Sequence, residues 1–270
     1  MRVMTMLIGT SGWQYQSWRG ILYPRDLPMR LWLERYAEAF ATVESNAAFY
    51  HLPTKQVFEG WRARTPDDFI FAVKASRYLT HIKRLREPAE PVERLLDRAS
   101  GLGDKLGPIL LQLPPTLRGD PELLDETLAL FPATVRVAVE PRNDSWWTDD
   151  VRNVLEYRNA ALCWADREAK PITPLWRTTD WAYLRLHAGL ATPKPSYGSA
   201  VLTEWVDRLR ETWSDESDCF VYFNNDARGA AVRDAVLFGQ LTKAAGSPIS
   251  RIPTLDKGVV TIPSGDPAEH

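Results

Sequence analysis

Short apolar runs alternate along this chain with longer amphipathic stretches. Residues 6–9, 42–46, 69–74, 108–112, 135–140, 161–166, 182–187 and 219–223 read as strands, brief, apolar and bounded by turn formers. Between them, apolar positions recurring every three to four residues predict helices over 29–40, 54–64, about 92–100, 121–130, 148–157, 200–213 and 229–244. Pro28 suits the first turn of the first helix. After the sixth strand the helical signal is weak, and a proline-broken segment through Pro174 stands in its place.

Strand–helix alternation demands parallel pairing, because each crossover returns the chain to the same end of the sheet. Eight such units within 270 residues predict an α/β fold of the TIM type, a closed (β/α)₈ barrel. A doubly wound open sheet would normally carry a phosphate-binding glycine fingerprint after its first strand. Here that turn reads Gly9-Thr10-Ser11-Gly12-Trp13, which lacks the spacing. The barrel is expected to occupy 1–245 as one domain. From Gly246 the periodicity fails, so 246–270 is expected to be a tail, with 259–262 docking on the barrel.

Hydrophobic residues make up 44% of the chain and charged residues 25%, enough apolar surface for a full core. A formal net charge of −2 argues against nucleic acid as a partner, since phosphate neutralisation needs a basic excess. The one dense basic stretch is His81-Ile82-Lys83-Arg84-Leu85-Arg86. Cys163 and Cys219 sit in apolar strands and read as small buried hydrophobes. No run reaches membrane-spanning length, which makes a soluble cytoplasmic protein the expectation. Oligomeric state and cofactor are left unknown.

Barrel chemistry comes from the C-terminal ends of the strands and the loops after them. That rule collects Glu44 and Asn46, Lys74, Gln112, Glu140 and Arg142, Asp166, Arg185 and His187, then Asn224 and Asn225. Side-chain alternation places Tyr183, Arg185 and His187 on one face of the seventh strand, with Leu184 and Leu186 on the other. The outer face must pack under helices, so the polar set points into the barrel. The plainer reading is a mutually neutralising network of Glu44, Lys74, Glu140 and Arg185 that fills the barrel top. Packed aliphatics would serve stability as well, which is why so many ionisable groups point to function.

Asn225 or Asp226 reads first as a cap for the last helix, and second as part of a phosphate cup with residues 194–198. Loop aromatics Trp13, Tyr15, Trp18, Tyr50 and Trp146 offer flat faces, and His81 lies in a loop suited to recognition.

The runs Gly9-Thr10-Ser11-Gly12-Trp13-Gln14-Tyr15, Glu44-Ser45-Asn46 with Phe49-Tyr50, and Phe71-Ala72-Val73-Lys74 continue into Leu79-Thr80-His81. Val139-Glu140-Pro141-Arg142, Tyr183-Leu184-Arg185-Leu186-His187 and Tyr222-Phe223-Asn224-Asn225-Asp226 follow in order. Together they resemble the YecE-like barrels, a family catalogued as a domain of unknown function, and the resemblance extends to about Leu241. It implies a TIM-type barrel and assigns no activity. Two departures stand out: Ala48, where the family commonly has threonine, and Ala188, where it commonly has glycine.

The leading expectation is an enzyme acting on a polar small molecule, a sugar or phosphorylated metabolite, with Glu44 and Glu140 dividing acid and base roles and Lys74, Arg185 or His187 supporting them. Trp13, Tyr15, Asn46, Tyr50, His81, Gln112, Arg142, Trp146, Asp166, Asn224 and Asn225 are the expected binding residues. Metal-assisted phosphoester or nucleic-acid processing through Glu44, Glu140, Asp166 and His187 is one alternative, though no local ligand motif joins them. A non-catalytic module for a small anion is the other.

Overall fold

The computed structural model describes residues 5–213, 217–256 and 259–262. Its strands are β1 (Thr5–Thr10), β2 (Thr42–Ser45), β3 (Ile70–Lys74), β4 (Leu106–Gln112), β5 (Val137–Glu140), β6 (Ala161–Leu162), β7 (Trp164–Arg167), β8 (Lys170–Pro171), β9 (Ala182–Leu186) and β10 (Asp218–Phe223). A hairpin of β11 (Thr254–Asp256) and β12 (Val259–Thr261) follows. The helices are α1 (Trp32–Ala39), α2 (Ala47–Tyr50), α3 (Lys55–Ala63), α4 (Ala89–Ala99), α5 (Pro121–Leu128), α6 (Asp149–Tyr157), α7 (Ser199–Thr212) and α8 (Ala230–Ala244). Among the described residues no helix is long and apolar enough to cross a membrane.

The strands form two arcs, β2-β3-β4-β5-β6 and β1-β10-β9-β7, parallel throughout, with the short β8 folded back antiparallel on β7. Two seams close them into a (β/α)₈ barrel. At one, Ser11 bridges Glu44 in parallel, and the Tyr36 hydroxyl donates to Thr42 O (3.1 Å) while accepting from Thr10 N (3.0 Å). Gly9 permits this approach, for a Cβ there would stand 2.2 Å from Thr42 O. At the other seam one strand changes partner at Cys163: β6 pairs with β5 and β7 with β9.

No helix follows β7. The segment after β8 lies along the strand instead, and its threonine hydroxyls accept from backbone N–H groups, Thr178 from Leu162 and Thr173 from Ala165, each at 2.9 Å. This satisfies buried donors that a gap in the sheet would orphan. Elsewhere caps set the helix starts. Thr54, Asp120 and Thr148 each accept from the N–H three residues on, and Pro121 occupies the first turn of α5.

Beyond α8 the described residues are held on the barrel, and residues 257–258 and 263–270 of the expected tail lie outside the described residues. Ser250 N donates to Met6 O, Arg251 donates to Ala37 O, and Val260 N donates to Ile21 O. Inside the barrel the lower layers are apolar, built from Ala72, Leu110, Ala138, Cys163, Phe220 and Tyr222. Charge begins above them.

Candidate active site

Three carboxylate-bearing or basic strand ends meet at the C-terminal mouth. Glu44 is the penultimate residue of β2, Glu140 ends β5, and Arg185 in β9 lies between them. Arg185 donates through one terminal nitrogen to Glu44 Oε1 (2.8 Å) and through the other to Glu140 Oε2 (2.5 Å). All three side chains are sealed from solvent.

Every remaining carboxylate oxygen is engaged. Glu44 also accepts from Ser11 Oγ (2.6 Å) and Tyr183 Oη (2.7 Å). Glu140 Oε1 takes the Arg142 guanidinium at 2.7 and 3.1 Å and His187 Nε2 at 2.8 Å. Burial alone would raise both carboxyls. For Glu44, Arg185 with the Ser11 and Tyr183 hydroxyls outweighs it and lowers the pKa; for Glu140, Arg185, His187 and Arg142 lower it well below the usual range.

His187 is depressed to about 4, by burial first, against the pull of Glu140. Its imidazole is therefore neutral, and its contact with Glu140 is a hydrogen bond rather than an ion pair. Glu140 Oε1 and Arg142 Nη2 both lie on the His187 Nε2, at 2.8 and 3.0 Å, and Asn224 Nδ2 lies 3.1 Å from Nδ1.

Lys74 is different. It ends β3 facing the interior, largely buried, with Nζ 4.1 Å from the centre of the Phe49 ring. Among the described residues no acceptor lies within hydrogen-bonding distance of it. Burial first, then Arg185, draws its ammonium down to about 8, against Glu44 and Glu140. His81 packs edge-on against the same Phe49 ring (5.0 Å between centres), and its Nδ1 meets Thr80 Oγ1 at 2.9 Å. Burial, followed by the fields of Lys74, Arg77 and Arg142, lowers its pKa.

The β2–β3 register sets Ser45 opposite Val73, so Asn46 comes level with Lys74. Its Oδ1 is buried without a partner, as is Arg185 Nε. Gln112 pairs in register with Glu140, and only its Nε2 is engaged, on Leu113 O at 3.3 Å. Tyr15 anchors on Ser11 O (2.7 Å), its phenol pushed up to about 12 by burial, with Asp226 and Glu44 adding to it. Tyr50 stands exposed on the rim, beside a groove of about 570 Å³ that also reaches Ser76 and Arg94.

Several expected residues lie elsewhere. Trp13 packs edge-on against Trp61 and Phe71, and Trp146 is fully buried with Nε1 on Leu117 O, so neither ring faces a ligand. Trp18 is likewise buried, donating to Asp226 Oδ1 at 2.7 Å. A glycine-rich loop reads as exposed in sequence, yet here the loops fold over the outer core. Asp166 shares the outer face of its strand with Trp164 and accepts from Tyr197 Oη (2.8 Å) and Trp205 Nε1 (3.0 Å), under α7. It does not converge with Glu44, Glu140 and His187, and among the described residues no group of three or more His, Cys, Asp or Glu is placed to hold a metal.

Asn225 turns outward too, bridging Pro195 O (3.0 Å) and Asp234 Oδ2 (2.7 Å), and Asp234 accepts from Tyr197 N at 2.9 Å. Gly229 is the N-cap residue of α8, and Asp226 accepts from Ser17 Oγ, Trp18 Nε1 and the Gly229 backbone, while Asn224 N and Ala227 N donate to Leu186 O and Asn225 O. The basic stretch after β3 is also spent locally: Lys83 pairs with Glu87, and Arg84 donates to Thr116 O at 2.5 Å. Phe49, Ser11 and Tyr183 were not among the expected site residues, although parity with Arg185 had already placed Tyr183 on the interior face.

At the opposite end of the barrel a cavity of about 530 Å³ is lined by Leu7, Ile70, Phe220 and the Arg136–Asp218 pair (2.8 Å). No cluster comparable to that at the mouth lines it.

Known proteins of similar sequence and shape give the family and the fold. Residues 7–257 match the family described as "Protein of unknown function DUF72". The UPF0759 protein YecE of Escherichia coli K12 is 37% identical over 117 residues, which are 43% of this chain and 43% of that one, so the match spans less than half of the relative. The UPF0759 protein YunF of Bacillus subtilis is 26% identical over 261 residues, 83% of this chain and 90% of that one. A DUF72 family crystal structure from Thermotoga maritima superposes with a TM-score of 0.77 at 26% identity, covering 88% of this chain and 99% of that chain. One from Enterococcus faecalis gives 0.76 at 17% identity, covering 93% and 100%. A xylose isomerase-like TIM barrel fused to a dioxygenase shares the fold at TM-score 0.50 and 15% identity, covering 95% of this chain and 46% of that one. The chain belongs to the DUF72 family, with a TIM-barrel fold.

Proposed function

We propose that the barrel mouth is the active site of an enzyme acting on a small anionic metabolite, a phosphorylated sugar or a carboxylate. One observation carries this reading: the two buried carboxylates are saturated from below and beside, while Lys74 has no acceptor above them. With His187 neutral, the layer holds two negative charges against Arg142, Arg185 and a partly protonated Lys74, an excess of positive charge facing the opening. An anion would complete it. Asn46 Oδ1, buried without a partner, is an acceptor suited to a hydroxyl of such a ligand.

Glu44 and Glu140 are both held ionised, so their environments do not separate their pKa values as paired acid and base roles require. They serve instead as a support that fixes Arg185, Arg142 and His187. Ligand contact falls to Lys74, Arg142, His81, Asn46 and Gln112, with Tyr15 and Tyr50 at the rim.

Thermal unfolding with inorganic phosphate, glucose 6-phosphate and glucose tests this. The two anions are expected to stabilise the protein by about 2.7 kcal/mol at a hundredfold excess over Kd. Glucose should do nothing, and Arg142→Met should abolish the effect. Equal shifts from glucose, or none from either anion, would overturn the reading.

A further inference from the structure

Among the described residues two lysines are buried, and they are treated in opposite ways. Lys105 Nζ donates to Arg62 O (2.8 Å) and Thr65 O (2.7 Å), which fixes it as a structural cation. Lys74 Nζ has an aromatic face beneath it and no acceptor, although two carboxylates lie in the same layer. Both carboxylates are committed to Arg185. A desolvated amine without a counter-ion, at the C-terminal end of a barrel strand, is arranged as a nucleophile rather than as an ion-pair partner.

Resting on the anion-site reading above, we propose that Lys74 condenses with the carbonyl carbon of an anionic aldehyde or ketone to form a Schiff base. The neutral amine's lone pair attacks the carbonyl carbon, and the C=O π pair moves to oxygen, which takes a proton to give a carbinolamine. The proton that oxygen takes comes from the nitrogen; the hydroxyl then takes a second proton and leaves as water while the nitrogen lone pair closes C=N, and the iminium so formed gives its N–H proton back. Amine and carbonyl become imine and water, with no oxidant, reductant or metal required.

The neighbours suit each requirement. His81 touches the same Phe49 ring and is kept neutral, so it can carry the proton from nitrogen to oxygen. Arg142, held through Nε and Nη2 on Glu140, has its Nη1 left for the substrate's anionic group. The groups acting on Lys74 are Glu44 from β2, Glu140 and Arg142 from the end of β5, and Arg185 from β9. With its ammonium near 8 rather than 10.5, the free-amine fraction at neutral pH is on the order of 100-fold above that of a solvated lysine.

The test is reductive trapping on the full chain. The protein is incubated separately with glyoxylate and dihydroxyacetone phosphate in sodium cyanoborohydride, and adducts are located by peptide mass mapping. One secondary-amine adduct is expected at Lys74, forming on the order of 100-fold faster at pH 7 than at exposed Lys55, with a rate inflection near pH 8. Inorganic phosphate should slow it, and Lys74→Arg should lose it. Adducts confined to exposed lysines, or an equal rate at buried Lys105, would overturn the proposal. Imine and anion site fail separately. If phosphate raises Tm while Lys74 stays unlabelled, the imine fails and the anion site stands. Labelling at Lys74 without stabilisation by phosphate would keep the imine and remove the anion site.

Discussion

The two flanks of the charged layer are built on different terms. On the side of β1, β2, β5 and β9, each charge meets its partner: Arg185 takes both carboxylates, and Ser11, Tyr183, Arg142 and His187 occupy what remains. On the side of β3 and the loops after β2 and β3, Lys74 lies on a ring, Asn46 Oδ1 has no partner, and His81 bonds only its neighbour Thr80. The first flank holds its shape at a cost in desolvation that pairing offsets. The second leaves polar groups unsatisfied, and a native protein tolerates that where something else binds.

Substitutions should separate the flanks. The largest effect is expected at Arg185→Met, which strands two buried carboxylates; stability should fall by about 3–5 kcal/mol in urea unfolding. A loss under about 1 kcal/mol would mean the paired flank is not what it is drawn to be.

Next comes pH. His187 has a folded pKa of about 4 against an unfolded 6.5. Between those values the unfolded chain binds the proton first, so acidification removes stability across that window, by up to about 3 kcal/mol. Asp234, raised to about 6 by burial against the bonds from Tyr197 N–H and Asn225, runs in the opposite sense: its proton goes on first in the folded state. The His187 effect is therefore read as the difference between the parent and His187→Gln, measured at pH 7 and pH 4.5. Parallel curves for the two would dismiss it.

A smaller loss, about 1–3 kcal/mol, is expected at Asp234→Ala, which orphans the Tyr197 N–H and the Asn225 amide. Anion-induced stabilisation should survive in that variant, because these contacts lie outside the mouth. Smallest of all is Lys74→Met. Removing a buried cation without an acceptor also removes its desolvation cost, so stability should change by less than about 1 kcal/mol in either direction. Should Lys74→Met prove as damaging as Arg185→Met, the two flanks are energetically alike and the comparison fails.

Much of the barrel could be read from the chain because its signals are local. Alternation along Tyr183-Leu184-Arg185-Leu186-His187 needs only neighbouring residues, and the strand-plus-helix rhythm announces parallel pairing unit by unit. At the sixth unit the missing helix was legible, through the proline-broken segment to Pro174, but what replaces it was not. Its strand changes partner at Cys163, and threonine hydroxyls rather than a helix cover it, an outcome that depends on the gap between two arcs. Loop aromatics failed for a related reason. Trp13, Trp18 and Trp146 carry polar-looking contexts in sequence, yet each ring is drawn under the loops because apolar area is buried wherever three-dimensional packing offers a place for it.

What the sequence by itself determined is the eightfold β/α order, the family motifs, and which strand ends carry acids and bases. Tertiary structure alone decided their commitments: that Asp166 and Asn225 turn outward, that one arginine consumes both mouth carboxylates, and that Lys74 is left without a partner. The physical reason is that composition and spacing can count charges, whereas pairing and desolvation depend on distances across the barrel, between residues as far apart as Glu44 and Arg185.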